Sequence, residues 1–135
     1  MNNQPYRVPD KHWPPRLSYW WFRVSNLLRK RALRSQQMGD VKLEGVEYLR
    51  LAVSQKKGVL IAPNHSFHWD SYCLLEAAYR LSIPFYMMTA WQVFSESNWL
   101  DRLSMQRCGC FSVDREGTDT QSLKTAIDKI GRAHV

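Results

Sequence analysis

The chain has 135 residues, 44% of them apolar, with a formal net charge of +7. That length and composition fit one domain with a single core and exclude a disordered segment. No apolar run approaches the roughly 18–20 residues that a bilayer-spanning helix needs. Arg23 interrupts the one candidate signal-peptide core, and no small-residue cleavage site follows it.

The charge is unevenly placed. Residues 1–38 carry eight basic side chains against Asp10 alone, whereas residues 39–135 carry 11 basic and 11 acidic side chains. The whole excess therefore belongs to an N-terminal arm, which points to an anionic partner, either a membrane surface or a nucleic acid. Three cysteines, Cys73, Cys108 and Cys110, are an odd count without a disulfide framework or zinc-finger spacing. They read as reduced thiols of a cytoplasmic compartment.

Residues 1–15 contain Pro5, Pro9, Pro14 and Pro15 and are expected to be irregular. From Leu17 onward Trp20, Trp21, Val24, Leu28 and Arg31 share one helical face, with Arg16, Arg23, Arg29 and Lys30 around it. A basic helix with tryptophans on its apolar face suits the headgroup region of an anionic membrane. A helix packed on the domain with a solvated basic face explains the same pattern, and both hold if the helix packs and docks at once. A nucleic-acid role is disfavoured, because no nucleic-acid module is recognisable and the apolar face is continuous.

Asp40 to Glu44 reads as a short strand and Val46 to Gln55 as a helix that Lys56-Lys57-Gly58 closes. Val59 to Pro63 has the pattern of a strand buried on both faces, and Asn64, His65, His68 and Asp70 follow it directly. A helix to about Leu81 comes next, then a strand over Ile83 to Thr89. A helix over Trp91 to Arg107 has a weak patch at Ser95 to Asn98, and a third strand spans Cys110 to Val113. Thr118 or Asp119 caps a last helix through Leu123, Ile127 and Ile130. Strands alternating with helices predict an α/β fold, with a mixed, largely parallel sheet flanked by helices and preceded by the basic amphipathic helix. The expected division is residues 1–38 as arm and membrane-contacting helix, and 39–135 as the body.

The loop after the apolar run sits where open α/β sheets bind ligands. His65 and Asp70 are its sharpest pair: an imidazole with a pKa near 6.5 accepts a proton from a hydroxyl, and a carboxylate orients it. Alternatively, Asp70 is a helix cap and His65 an ordinary loop residue. His65, His68, Asp70 and Cys73 are all metal-ligating types, but on a strand-to-helix turn the two histidines need not converge, so no metal site is assigned.

Asn64-His65-Ser66-Phe67-His68-Trp69-Asp70 resembles the first signature of the glycerolipid acyltransferases, the family typified by 1-acyl-sn-glycerol-3-phosphate acyltransferase. Gly109-Cys110-Phe111-Ser112-Val113-Asp114-Arg115 resembles the second, and a Gly45-x-Glu47 segment precedes both. The resemblance covers residues 39–129. It implies that His65 is the general base acting on the acceptor hydroxyl and that Asp70 orients it. Arg115 would hold the acceptor's phosphate, a role its forked guanidinium suits, with Asn64, Gly109 and Phe111 completing the substrate site. An ion pair of Arg115 with Asp114 or Glu116 on a solvated turn is the competing reading. The resemblance also implies acyl-CoA or acyl-carrier protein as donor, with no cofactor. A lysophospholipid or glycerol phosphate would be the acceptor, in phospholipid biosynthesis at the cytoplasmic face of a membrane.

The family's third signature, Phe-Pro-Glu-Gly, does not occur in the chain, and Arg115-Glu116-Gly117-Thr118 lacks the Phe-Pro that would make it a match. The chain therefore reads as a C-terminally truncated fragment, inactive by itself. Ile130-Gly131-Arg132-Ala133-His134-Val135 is what a common sequencing adapter (ATC GGA AGA GCA CAC GTC) encodes in one frame. The native sequence is expected to stop near Lys129.

Overall fold

A computed structural model of the protein describes residues 7–35, 37–64 and 70–132. Seven helices and two strands occur among them: α1 (Tyr19–Leu27), α2 (Arg29–Ser35), α3 (Val46–Ser54), α4 (Asp70–Leu81), β1 (Met87–Ala90), α5 (Trp91–Glu96), α6 (Trp99–Arg107), β2 (Cys110–Val113) and α7 (Thr120–Arg132). The fold mixes helices with a small parallel sheet, as an α/β pattern requires. β1 and β2 pair in parallel, with Met87 opposite Cys110 and Ala90 opposite Val113, and α5 and α6 form the crossover between them.

The helix boundaries follow from local chemistry. Ser18 caps α1 by accepting a hydrogen bond from the Trp21 N–H. The expected helix over Trp91 to Arg107 divides into α5 and α6, because Asn98 adopts extended backbone and its side chain accepts the Asp101 N–H at 2.9 Å. An asparagine that satisfies an orphan donor in this way starts a new helix rather than continuing the old one. α3 and α4 end alike. Lys56 and Ser82 take left-handed φ values of 54° and 56°, and the next N–H in each case reaches back to a carbonyl one turn earlier, Lys57 to Ala52 and Ile83 to Ala78. These are Schellman stops built on a lysine and a serine where glycine is usual.

Two clusters make the core. Phe94, Trp91 and Cys110 bury together with Trp13 of the arm, whose indole stacks on Phe94 at 5.6 Å. Phe22 of α1 packs on Ala78 and Tyr79 of α4, with the Phe22 and Tyr79 rings 4.6 Å apart. The proline-rich segment is irregular, as expected, yet it is stitched to the body. Ser112 and Trp13 exchange two bonds: the Trp13 N–H donates to Ser112 Oγ, and the Ser112 N–H donates to the Trp13 carbonyl. Arg16 and Ser18 donate to the Gln106 and Arg107 carbonyls. Arm and body therefore share one core.

Three expectations need correction. Val59 to Pro63 is not a buried strand: it lies outside the sheet, and Leu60 is 79% exposed. Five apolar residues in a row state what the segment would gain from burial, but a strand also needs a ladder partner. The run leaves from Gly58, which is pressed against Ile130 of α7, and among the described residues β1 and β2 pair with each other and not with it. Asp40 to Glu44 is likewise not a strand. Arg80 of α4 holds it instead, donating to the Val41 carbonyl at 2.8 Å and to Asp40 Oδ1 at 2.6 Å. Ladder pairing between Ile83 and Thr89 is confined to the end of the run, because Ile83 still closes the Schellman turn of α4. No helix among the described residues is long and apolar enough to cross a membrane.

Candidate active site

The second motif divides into a buried half and an exposed half. Gly109 has φ +96°, and a Cβ there would stand 2.5 Å from the Phe85 carbonyl oxygen, so only glycine lets the two segments approach this closely. Phe111, 1% exposed, packs inside the sheet. Gly109 and Phe111 thus build the strand, and Arg115 stands exposed on the turn beyond its carboxyl end.

That turn is fixed by Asp119. Its Oδ1 accepts the Ser122 N–H at 2.8 Å, capping α7, while its Oδ2 accepts the Asp114 N–H at 2.9 Å. Burial acts to raise the Asp119 pKa. The hydrogen bonds from Ser122 and Asp114, with His12 nearby, outweigh burial and hold the carboxyl below the usual carboxylate range. Asp114 Oδ1 in turn accepts the Glu116 N–H at 3.1 Å, tightening the turn around Arg115. Ser122 Oγ donates to the Ser112 carbonyl at 2.6 Å and seats the first turn of α7 on β2.

The first motif is placed by α4. Asp70 is the first residue of that helix and is half-buried. Tyr79, farther along α4, shares a 2.8 Å hydrogen bond with Ser25 of α1, and Arg80 ties the helix to Asp40. Burial pushes the Tyr79 hydroxyl up to about 12, so it stays protonated. Asn64 is exposed at the end of the apolar run. His65, the expected base, lies outside the described residues, as do Ser66 to Trp69 between it and Asp70. Gly109, Phe111 and Arg115 thus form one strand-and-turn unit, while Asn64 and Asp70 are the described residues of the other motif.

The sequence did not point to the surroundings of the Asp114 turn. A cavity of ≈ 330 Å³ lies between the arm and the start of α7, lined among others by Lys11, His12, Trp91, Ser112, Asp114 and Asp119. His12 Nδ1 lies 3.3 Å from Ser112 Oγ. A contact between residues a hundred positions apart leaves no local signal; only the capping role of Asp119 was legible.

The thiols sort by burial. Burial pushes Cys110 up to about 12 and raises Cys108, while Cys73 on α4 is half-buried. Among the described residues no three His, Cys, Asp or Glu side chains come together as a metal site.

No curated protein and no solved structure matched the chain. The family model described as Acyltransferase matches residues 40–134, which takes in both signatures, the strand that presents Arg115 and the helix that Asp70 begins. On that match over most of its length, the chain belongs to the acyltransferase family.

Proposed function

We propose that this acyltransferase performs O-acyl transfer in phospholipid biosynthesis, moving a fatty acyl group from an acyl thioester to the hydroxyl of a lysophospholipid or glycerol phosphate. The donor in this reading is acyl-CoA or acyl-carrier protein. One observation carries it: Arg115 is exposed on a fixed turn beyond the carboxyl end of a parallel strand, the position at which α/β sheets meet anionic ligands. A guanidinium there forks onto phosphate oxygens and fixes the acceptor by the group next to its hydroxyl.

In this reading His65 takes the hydroxyl proton as the acceptor oxygen attacks the thioester carbonyl. The new ester C–O bond forms, the C–S bond breaks, and the imidazolium returns its proton to the departing thiolate. Asp70, beginning α4, orients the imidazole and stabilises its charged form. Asn64 flanks the base, and Gly109 with Phe111 holds the strand that presents Arg115.

The test is thiol release from acyl-CoA or acyl-carrier protein with lysophosphatidic acid or glycerol 3-phosphate as acceptor, in a chain extended through the third signature. His65→Ala should lower acceptor-dependent turnover by about 10²–10⁴-fold. His68→Ala should retain most of it. Wild-type turnover by a correctly folded His65→Ala variant would remove the base assignment.

A further inference from the structure

We propose that the outer face of α1 and α2 docks on an anionic lipid bilayer, and that Trp20 enters the headgroup region while Trp21 stays with the protein. The two tryptophans are adjacent in sequence and share a face in the sequence pattern, but the fold separates them. Phe22 is buried against Tyr79, and the Trp21 Nε1–H donates to Ser104 Oγ of α6 at 3.3 Å. Ser25 completes this inner face by bonding to Tyr79.

Among the described residues nothing buries the opposite face. Trp20 is 70% exposed and Leu27 82%, and Val24 and Leu28 are exposed with them. Positions 20, 24, 27 and 28 fall on one helical stripe. Arg16, Arg23, Arg31 and Arg34 are exposed around that stripe, and no acidic residue occurs between Asp10 and Asp40.

Charge complementarity selects the occupant. A nucleic acid would satisfy the arginines and leave Trp20, Leu27 and Leu28 in water. An anionic bilayer satisfies both sets at once, with apolar side chains at the acyl boundary and guanidiniums among the phosphates. Each basic residue close to such a surface strengthens binding by about fivefold, and salt screens that part.

Vesicle sedimentation with the full 135-residue chain tests the proposal. Removing residues 1–38 would take Trp13 and Phe22 out of the core, so point variants on the exposed stripe are the appropriate perturbation. Vesicles of phosphatidylcholine with phosphatidylglycerol should bind the chain, pure phosphatidylcholine should bind it at least tenfold more weakly, and added salt should narrow the gap. Leu27→Asp should weaken binding by about tenfold with an unchanged thermal midpoint, since a leucine's burial accounts for that much. The lipid-induced blue shift of tryptophan emission should shrink in Trp20→Phe and persist in Trp21→Phe. Equal binding to neutral and anionic vesicles at every salt concentration would overturn the proposal. So would a blue shift that Trp20→Phe leaves intact, or capture of a DNA duplex without vesicle binding. None of these readouts involves acyl transfer, so the proposal and the catalytic reading fail independently.

Discussion

Asp119 offers the most direct test of how the Arg115 turn is held. Replacing it with alanine removes two acceptors at once, Oδ1 from the Ser122 N–H that begins α7 and Oδ2 from the Asp114 N–H beside Arg115. Loss of an N-cap costs about 0.5–2 kcal/mol. Leaving the half-buried Asp114 N–H without its charged acceptor costs about 1–1.5 kcal/mol more. Asp119→Ala should therefore lose about 2–3 kcal/mol. Asp119→Asn should lose about 1 kcal/mol, because asparagine caps as well as aspartate but its amide nitrogen cannot accept the second bond.

Urea unfolding followed by circular dichroism measures both variants. With a denaturant slope of about 1–3 kcal/mol/M, the alanine midpoint should fall by about 1 M. The pH dependence supplies an independent check. A carboxyl whose folded pKa is depressed stabilises fully above its unfolded value, about 3.9, and loses that stabilisation as pH falls through the folded value. The gap between wild type and Asp119→Asn should accordingly be constant near neutrality and close below about pH 4. An alanine variant within 0.5 kcal/mol of wild type, or a gap that persists unchanged into acid, would refute the double-acceptor account.

Trp13→Ala should cost about 3–5 kcal/mol, the range for a large aromatic in a core, and should expose the arm to proteolysis ahead of the body. A loss below about 1 kcal/mol in urea unfolding would mean that the arm is not part of the core. Alkylation of the native protein at pH 8 should modify Cys73 before Cys108 and Cys110, because burial keeps the latter two protonated. Equal rates, read by peptide mass, would contradict the burial order.

Much of the body is legible locally. α3 occupies the span from Val46 because Val46, Leu49 and Val53 recur at helical spacing and a stop follows. β2 occupies Cys110–Val113 because a glycine and an aspartate bound it. Even the weak patch at Ser95 to Asn98 marked a real interruption, since a run that propensity barely supports yields to a capping side chain. What failed did so for non-local reasons. The residues of Val59 to Pro63 are as apolar as those of a central strand, yet a strand is made by ladder pairing with a neighbour, and β1 and β2 pair with each other instead. The arm's prolines forecast irregular backbone and carried no hint that Trp13 stacks on Phe94, because that contact is decided by two surfaces some eighty residues apart.

The candidate site divides along the same line. The resemblance to the second acyltransferase signature singled out Gly109, Phe111 and Arg115 together, but their physical roles differ. Gly109 and Phe111 are buried and let the strand pass against Phe85, while Arg115 alone meets solvent. Asp119 shows the converse. The sequence offers it, alongside Thr118, as the cap of α7, an ordinary local duty, and the fold gives its second oxygen to the backbone of the Asp114–Arg115 turn. One carboxylate thereby fixes the start of a helix relative to the turn that presents the guanidinium, and that coupling arises only when β2 and α7 meet through Ser112 and Ser122.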